Sequence, residues 1–105
     1  MSIFPKVIQK GKNKSVTLHM HLENHSKKNI SGCIVFVITD PKNKKRKIKE
    51  KVIIKGLGKI DKYYNYFIRK NSPVGRYNVD GRFYFEKEEV RSETYKTDFF
   101  DVFKK

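Results

Sequence analysis

Alanine and tryptophan are absent from this 105-residue chain, and leucine occurs only three times. Alanine and leucine are among the best helix formers, so their scarcity argues against a helical protein. The apolar residues that are present are mostly Ile, Val, Tyr and Phe, which suit the pleated, half-buried surface of a β-sheet. The composition therefore predicts a single all-β domain over residues 1–105, long enough for one modest core.

Cysteine occurs once, at Cys33, which excludes an internal disulfide bond. It lies in the apolar run 33–38, where a free thiol usually packs as a small hydrophobic group. No stretch approaches the roughly 20 apolar residues that a membrane-spanning helix needs. The first residues lack the apolar segment of a signal peptide. We therefore expect either a cytoplasmic protein or a domain processed or excised from a cell-surface or secreted one.

Acidic residues are scarce beside basic ones, 11 against 25, and the formal net charge is +14. A field of this size attracts nucleic acid, anionic lipid or anionic cell-wall polymer. The basic residues are 20 lysines and five arginines, which suits diffuse attraction better than the bidentate reading of phosphates and bases. Codon usage rich in A and T is a second explanation, because it favours Lys, Asn, Ile, Tyr and Phe together.

Alternating apolar residues and turn signals predict about seven strands. The clearest is 15–24, in which every second residue is apolar from Val16 to Leu22. The apolar run Gly32–Thr39 predicts a central strand. Lys45–Lys51 is so charged that we expect an exposed edge strand, which extends a little further along the chain. The remaining strands are expected at about 3–9, 60–69, 76–85 and 93–103.

Two of these segments are irregular. Both faces of 60–69 are apolar, so its register is ambiguous. In 93–103 the apolar residues change alternation phase after Thr97, which predicts a β-bulge. The acidic segment Glu86–Ser92 predicts a hairpin loop before that last strand. Short strands at regular spacing favour an antiparallel sandwich or barrel over βαβ units.

One segment resembles a known family. In Pro73-Val74-Gly75-Arg76-Tyr77-Asn78-Val79, the residues Pro73, Gly75, Tyr77 and Val79 are similar to the Gly-x-Tyr-x-Val element of immunoglobulin-like and fibronectin-III-like domains, in particular bacterial ones. The resemblance implies an antiparallel two-sheet immunoglobulin-like sandwich, a tyrosine that hydrogen-bonds back to the preceding turn, and an adhesive or spacer role. The chain lacks the Cys…Trp…Cys set, which excludes an antibody-type domain.

The strongest candidate binding site is a basic hairpin after the Asp40-Pro41 turn. Basic clusters of this kind bind nucleic acid or other polyanions, although a solvated strand edge explains the same residues. No aromatic residue lies between Thr39 and Ile60, so the base-stacking groups that single-strand binders use are absent locally. Tyr63, Tyr64 and Tyr66 supply them only if folding brings them alongside. The candidate polyanion-binding residues are Lys42, Lys44, Lys45, Arg46, Lys47 and Lys49.

A weaker candidate is a pair of histidines on one strand. His19 and His21 are two residues apart, so both rings project from the same face, with Glu23 next in line. Two imidazoles and a carboxylate are possible zinc ligands, but a competent site needs a third or fourth ligand with its own support. A solvated polar face explains the same residues. The sequence therefore predicts no metal site and no cofactor.

No catalytic motif is present: the chain has no Gly-rich phosphate loop, no His-Glu-x-x-His and no Gly-x-Ser-x-Gly. The carboxylates Glu86, Glu88 and Glu89 fall in the predicted hairpin loop, where solvent surrounds them. The sequence therefore argues against an enzyme. The aromatic surplus, including Phe99, Phe100 and Phe103, either fills an alanine-free core or marks an exposed contact surface.

Two functional hypotheses follow. The main one is a non-catalytic, immunoglobulin-like interaction or structural module, bacterial in origin. It would contact protein, cell-wall polymer or its own copies through strand edges or exposed aromatics. The alternative is a polyanion-binding protein that binds nucleic acid or an anionic polymer through the basic Lys42–Lys49 hairpin.

Overall fold

The computed structural model describes residues 1–11, 14–85 and 94–104. These residues form β-strands and no helix, so none of them belongs to a helix that could span a membrane. The eight strands are β1 (Ser2–Phe4), β2 (Val7–Gln9), β3 (Lys14–Glu23), β4 (Ile30–Thr39), β5 (Lys45–Ile54), β6 (Lys59–Ile68), β7 (Gly75–Phe85) and β8 (Thr94–Phe103).

The strands form two sheets that do not close into a barrel. One has the order β1-β3-β6 and the other β2-β8-β7-β4-β5. Every pairing is antiparallel except that of β2 with β8. The prediction of an all-β, two-sheet protein is confirmed. The described residues form eight strands rather than about seven, because the predicted first strand 3–9 divides at Pro5 into β1 and β2. Proline has no N–H to continue the ladder, and the chain passes from one sheet to the other there.

The core lies between the two sheets and is formed by alternate residues of the long strands. Leu18 of β3, Phe36 of β4, and Tyr77 and Phe83 of β7 are each at most 4 % exposed. The alternation predicted for 15–24 is confirmed: Val16, Leu18, Met20 and Leu22 are all buried. Burial of this apolar area is the main term that stabilises the fold, at roughly 25 cal/mol per Å².

The structure shows which residues point into the core in the two irregular segments, 60–69 and 93–103. In β6, Tyr64 and Tyr66 pack against the core, whereas Tyr63 and Phe67 are 65 % and 62 % exposed. The predicted bulge in the last strand is wrong, because β8 pairs with β7 in an unbroken register from Gly75↔Val102 to Phe83↔Thr94. The apparent phase change arises because apolar residues occur on both faces of a regular strand. Phe100 and Val102 belong to the face that points into the core. The predicted hairpin loop 86–92 lies outside the described residues.

The turn before β7 is closed by a side chain. The Tyr77 hydroxyl, on a ring that is 1 % exposed, donates a hydrogen bond of 2.7 Å to the carbonyl of Pro73. Gly75 has φ = +136°, a conformation that favours glycine. Val79, two residues beyond Tyr77, is fully buried. These four positions thus join the 69–75 turn to the core.

Candidate nucleic-acid interface

The outer face of the five-stranded sheet carries a row of lysines along its β5 edge. Lys45, Lys47, Lys49 and Lys51 occupy alternate positions of β5, and all four are exposed. Alternate residues of a strand share a face at intervals of about 6.6 Å. This interval is comparable to the distance between successive phosphates along one nucleic-acid strand. We call Lys45, Lys47 and Lys49 the lysine row; Lys51 lies next to it on the same face.

The structure divides the predicted basic hairpin rather than keeping it together. Three of the six candidate residues belong to the lysine row. Arg46 lies between them in sequence, so its side chain starts on the opposite face, where its charge acts on Tyr66 of the other sheet. Lys42 and Lys44 belong to the turn, where the Asp40 carboxylate accepts hydrogen bonds of 2.8 and 2.9 Å from their backbone N–H groups.

The one acidic residue of β5 does not neutralise the row. Glu50 lies on the opposite face of the strand, where it accepts hydrogen bonds from the Tyr64 hydroxyl and from Lys62 of β6. These hydrogen bonds, led by that of Tyr64, lower the pKa of Glu50, and burial raises the pKa of Tyr64. The carboxylate is therefore held between the two sheets and away from the lysines.

A narrow apolar strip from β4 runs beside the lysine row. Val35 lies opposite Lys49 on one side and Arg82 on the other, yet it is only 7 % exposed although it is on the outer face. Cys33, which lies between Lys51 and Tyr84, is 6 % exposed. Long side chains of the flanking strands cover such positions with their stems while their charged ends stay in water. The thiol is thus buried under the face, as the sequence predicted for a small hydrophobic group.

Folding brings aromatic rings to this face from β7 and β8. Tyr84 is 38 % exposed and its hydroxyl lies 3.4 Å from Arg82 Nη1. Phe99 is 37 % exposed, and the Arg76 guanidinium lies 3.9 Å from its ring centroid, a cation–π contact. Of the other two phenylalanines considered, Phe103 is 43 % exposed and Phe100 is fully buried in the core. Aromatic residues therefore share the outer face with the lysine row, but Tyr84 lies two strands and Phe99 three strands away from β5.

Not every charge on this face is available to a ligand. Arg76 forms two hydrogen bonds with the Asp101 carboxylate, at 3.0 and 3.3 Å, and this pairing lowers the pKa of Asp101. A shallow depression between β7 and β8 is lined in part by Asp80, whose charge does not suit a phosphate. The longest run of cationic side chains on this face is the lysine row at the β5 edge.

The outer face of the three-stranded sheet has a different character. Its charged residues are Glu23, Asp61 and Lys59, with the rings of His19 and His21 between them. The His19 Nε2 and His21 Nδ1 atoms each lie 2.8 Å from the same oxygen of Asp61. The prediction that both imidazoles share a face with Glu23 is confirmed. The outer face of the five-stranded sheet thus carries the lysine row, whereas that of the three-stranded sheet carries two carboxylates, two histidines and Lys59.

The histidine cluster is held by hydrogen bonds and stacking. The His19 ring stacks on Tyr63 at 4.4 Å between centroids and 8° between planes. The hydrogen bond to Asp61 raises the pKa of His21, and the hydrogen bonds from His19 and His21 lower the pKa of Asp61. Among the described residues, no group of three or more His, Cys, Asp and Glu side chains is arranged to hold a metal ion.

No protein-family model and no curated protein sequence matches the chain. Among solved structures, it is similar to the alkylpurine DNA glycosylase AlkC of Pseudomonas fluorescens, determined in complex with DNA that contains an abasic site analogue. The TM-score is 0.71 and the identity 15 %, over 95 % of this chain and 28 % of the glycosylase chain. The chain therefore shares a fold with little more than a quarter of that protein.

This likeness corrects the main functional hypothesis. An interaction or structural module for protein or cell-wall polymer was expected, and that hypothesis is wrong: the matching structure is a DNA glycosylase on DNA. The error arose because the strand pattern and the Tyr77 turn specify an architecture, and an architecture does not specify a ligand.

Proposed function

We propose that this chain is a DNA-binding β-sandwich domain that holds the phosphate backbone on the lysine row. The observation that carries the proposal is the position of Lys45, Lys47 and Lys49 on one outer face, at intervals that suit successive phosphates. The DNA-bound glycosylase with the same fold supports it. Lysine contacts to phosphates give affinity without sequence preference, so we expect binding that depends strongly on salt and weakly on base sequence.

The proposal assigns binding rather than catalysis to this chain. The face consists of lysines, a covered apolar strip and partly exposed rings, which suit a nucleic-acid backbone and bases. We also propose that the sandwich is immunoglobulin-like. Its support is the order of strands in the two sheets, with the first strand divided between them, and the hydrogen bond from Tyr77 to Pro73.

The test compares two triple variants with equal net charge. Lys45→Gln, Lys47→Gln and Lys49→Gln together remove the lysine row, and the matched control changes the exposed loop lysines Lys27, Lys55 and Lys70 to Gln. Affinity for a short DNA duplex is measured by fluorescence anisotropy between 50 and 300 mM salt. Each phosphate contact adds about 0.9 to the slope of log affinity against log salt. We expect the row variant to lose up to about three such contacts and the control to keep its slope.

A single substitution makes the test specific to the face. Arg46→Gln removes a charge from the same strand but from its opposite side, so we expect the wild-type slope and an affinity within about twofold. Equal losses from Arg46→Gln and from Lys47→Gln would show that only net charge matters. Equal losses in the two triple variants would lead to the same conclusion, and the lysine row would then have no binding role of its own.

A further inference from the structure

The free edge of β6 lacks the features that keep other strand edges from pairing. Exposed edges are normally short or carry charged residues, lysine above all. β1 and β2 have three residues each, and β5 carries the lysine row. β6 has ten residues, pairs with β3 on one side, and among the described residues has no strand on the other. Its charges lie at Lys59, Asp61 and Lys62, and the segment 63–68 has none.

The residues of this segment favour strand pairing. Tyr63 to Ile68 contains aromatic and apolar residues and one asparagine, with no proline or glycine, and this composition has high β-propensity. Tyr63 and Phe67 point outward and are 65 % and 62 % exposed. An edge with unpaired backbone groups and two large exposed rings beside it is a template for another strand.

We propose that β6 pairs with β6 of a second copy of this chain in an antiparallel arrangement with its twofold axis at Asn65. In an antiparallel homodimer, the numbers of two residues that face each other across the axis add up to a constant. The contact is isologous, because both copies use the same surface. With the axis at Asn65, Tyr63 faces Phe67 of the second copy. Cross-strand aromatic pairs of this kind contribute roughly 0.2–1 kcal/mol each.

Charge complementarity selects this register over its neighbours. With the axis at Asn65, Asp61 faces Arg69 of the second copy, the residue that directly follows β6, and this pair occurs twice. With the axis at Tyr64, Lys59 would face Arg69. With the axis at Tyr66, Lys62 would face Lys70, the second residue after β6. Like charges directly opposite each other in a sheet are destabilising, so both neighbouring registers are disfavoured. The Asn65 register therefore combines the aromatic pairs with two opposite-charge pairs.

The dimer places both five-stranded sheets on the same side of the joined three-stranded sheets. The two lysine rows then lie beside each other, and their repulsion opposes dimerisation at low salt. We expect the dimer to strengthen as salt rises from about 50 to 300 mM, because the Debye length falls below 10 Å in that range. The inference depends on the β6 edge and not on the proposed DNA binding, so it is tested without DNA.

Sedimentation equilibrium at 300 mM salt gives the mass of the wild-type chain against concentration. We expect a monomer–dimer equilibrium with no larger species, because the isologous contact uses the one free β6 edge of each copy. Asn65→Lys places two lysines face to face on the axis and should leave a monomer. Thr97→Lys adds the same charge at an exposed position of β8, three strands from the β5 edge, and should not change the equilibrium.

Crosslinking tests the register itself. A disulfide requires Cα atoms within about 7 Å, and directly opposed residues of antiparallel strands lie about 4.5–5.5 Å apart. Under mild oxidation Asn65→Cys should form a covalent dimer. In the control Lys59→Cys, the two cysteines are about 40 Å apart in this register, from twelve residues at about 3.3 Å each, and should not react. Cys33 is present in both variants and is buried.

Three results would overturn the proposal: a monomer at all concentrations, polymers beyond the dimer, or equal crosslinking of the two cysteine variants. A monomer that still binds DNA in the salt titration above would leave the proposed function intact. A dimer that does not bind DNA would leave the β6 contact intact and remove the proposed function.

Discussion

At the scale of single residues, the histidine cluster shows how one carboxylate sets the protonation of a neighbouring ring. Asp61 Oδ1 lies 2.8 Å from His21 Nδ1, and Glu23 lies 3.6 Å from His21 Nε2. The hydrogen bond that the Asp61 carboxylate accepts from the His21 ring is the main cause of the raised pKa of His21. Glu23 has its own partner, Lys59, and the hydrogen bond between them lowers the pKa of Glu23.

We expect Asp61→Asn to lower the pKa of His21, because the neutral amide no longer favours the imidazolium. The measurement is an NMR titration of the His21 ring protons in the wild type and the variant. Glu23→Gln serves as the comparison and should lower the pKa less, since its contact with His21 is longer. A His21 titration curve that is unchanged in Asp61→Asn would contradict the assigned cause.

The interaction between His21 and Asp61 makes the stability of the fold depend on pH. The pKa of His21 is raised from 6.5 in the folded state. Its contribution to folding stability is therefore complete below pH about 6.5 and is lost as the pH rises through the folded-state pKa. The pKa of Asp61 is lowered from 3.8, so its contribution is present above pH about 4 and is lost as pH falls through the folded-state value. The pair therefore stabilises the fold most between these two limits.

At the scale of elements, one buried polar side chain joins two loops at one end of the sandwich. Asn24 follows β3 and is 3 % exposed. Its amide nitrogen donates to the carbonyls of Lys28, Ile54 and Lys55 at 2.8–3.1 Å, and its oxygen accepts from the Ser26 N–H. These contacts tie the β3–β4 loop to the end of β5.

We expect Asn24→Ala to lower the free energy of unfolding by about 2–3 kcal/mol, since it leaves several partly buried carbonyls without a donor. Denaturant unfolding gives the value. The control is Asn29→Ala, which removes one exposed hydrogen bond to the Gly56 N–H and should cost no more than about 1 kcal/mol. Equal losses in the two variants would show that burial of the Asn24 amide is unimportant.

The sequence predicts which face of a strand is buried only where the two faces differ in polarity. β3 alternates apolar with polar residues, so its inner face was evident from residues 15–24 alone. β6 has aromatic residues on both faces, and only its pairing with β3 decides that Tyr64 points inward and Tyr63 outward. In β8 the phase change suggested a bulge, whereas the unbroken pairing with β7 shows a regular strand.

At the scale of the whole molecule, the net charge of +14 opposes the compact state through repulsion among like charges. The lysine row concentrates this effect, because its members lie about 6.6 Å apart along the strand. Under the proposed function, this surface is thereby less stable when no polyanion is bound. DNA that binds only the folded state should stabilise it by RT ln(1 + c/Kd), where c is the DNA concentration, so the stabilisation rises with the logarithm of c once c exceeds the dissociation constant.

We expect the melting temperature to rise between 20 and 300 mM salt as the repulsion is screened, and to rise less in the Lys45/Lys47/Lys49→Gln variant. At low salt this variant should also melt at a higher temperature than the wild type. Differential scanning fluorimetry measures both effects, with the Lys27/Lys55/Lys70→Gln variant as the control. A row variant that is less stable than the control at low salt would show that these lysines stabilise the sheet.

The amino-acid sequence by itself determined the class of this protein: β-forming composition, clear alternation in β3, a charged edge at β5 and a tyrosine placed to close its own turn. It also implied that Lys45, Lys47 and Lys49 share a face, because alternation along a strand is a local property. Only the tertiary structure decided that Tyr84 and Phe99 lie on the same outer face as those lysines, that Glu50 is hydrogen-bonded by Tyr64 and Lys62 of the other sheet, and that β6 is left with a free edge. Those relations join residues far apart in the chain, and they depend on strand order, which local propensity does not encode.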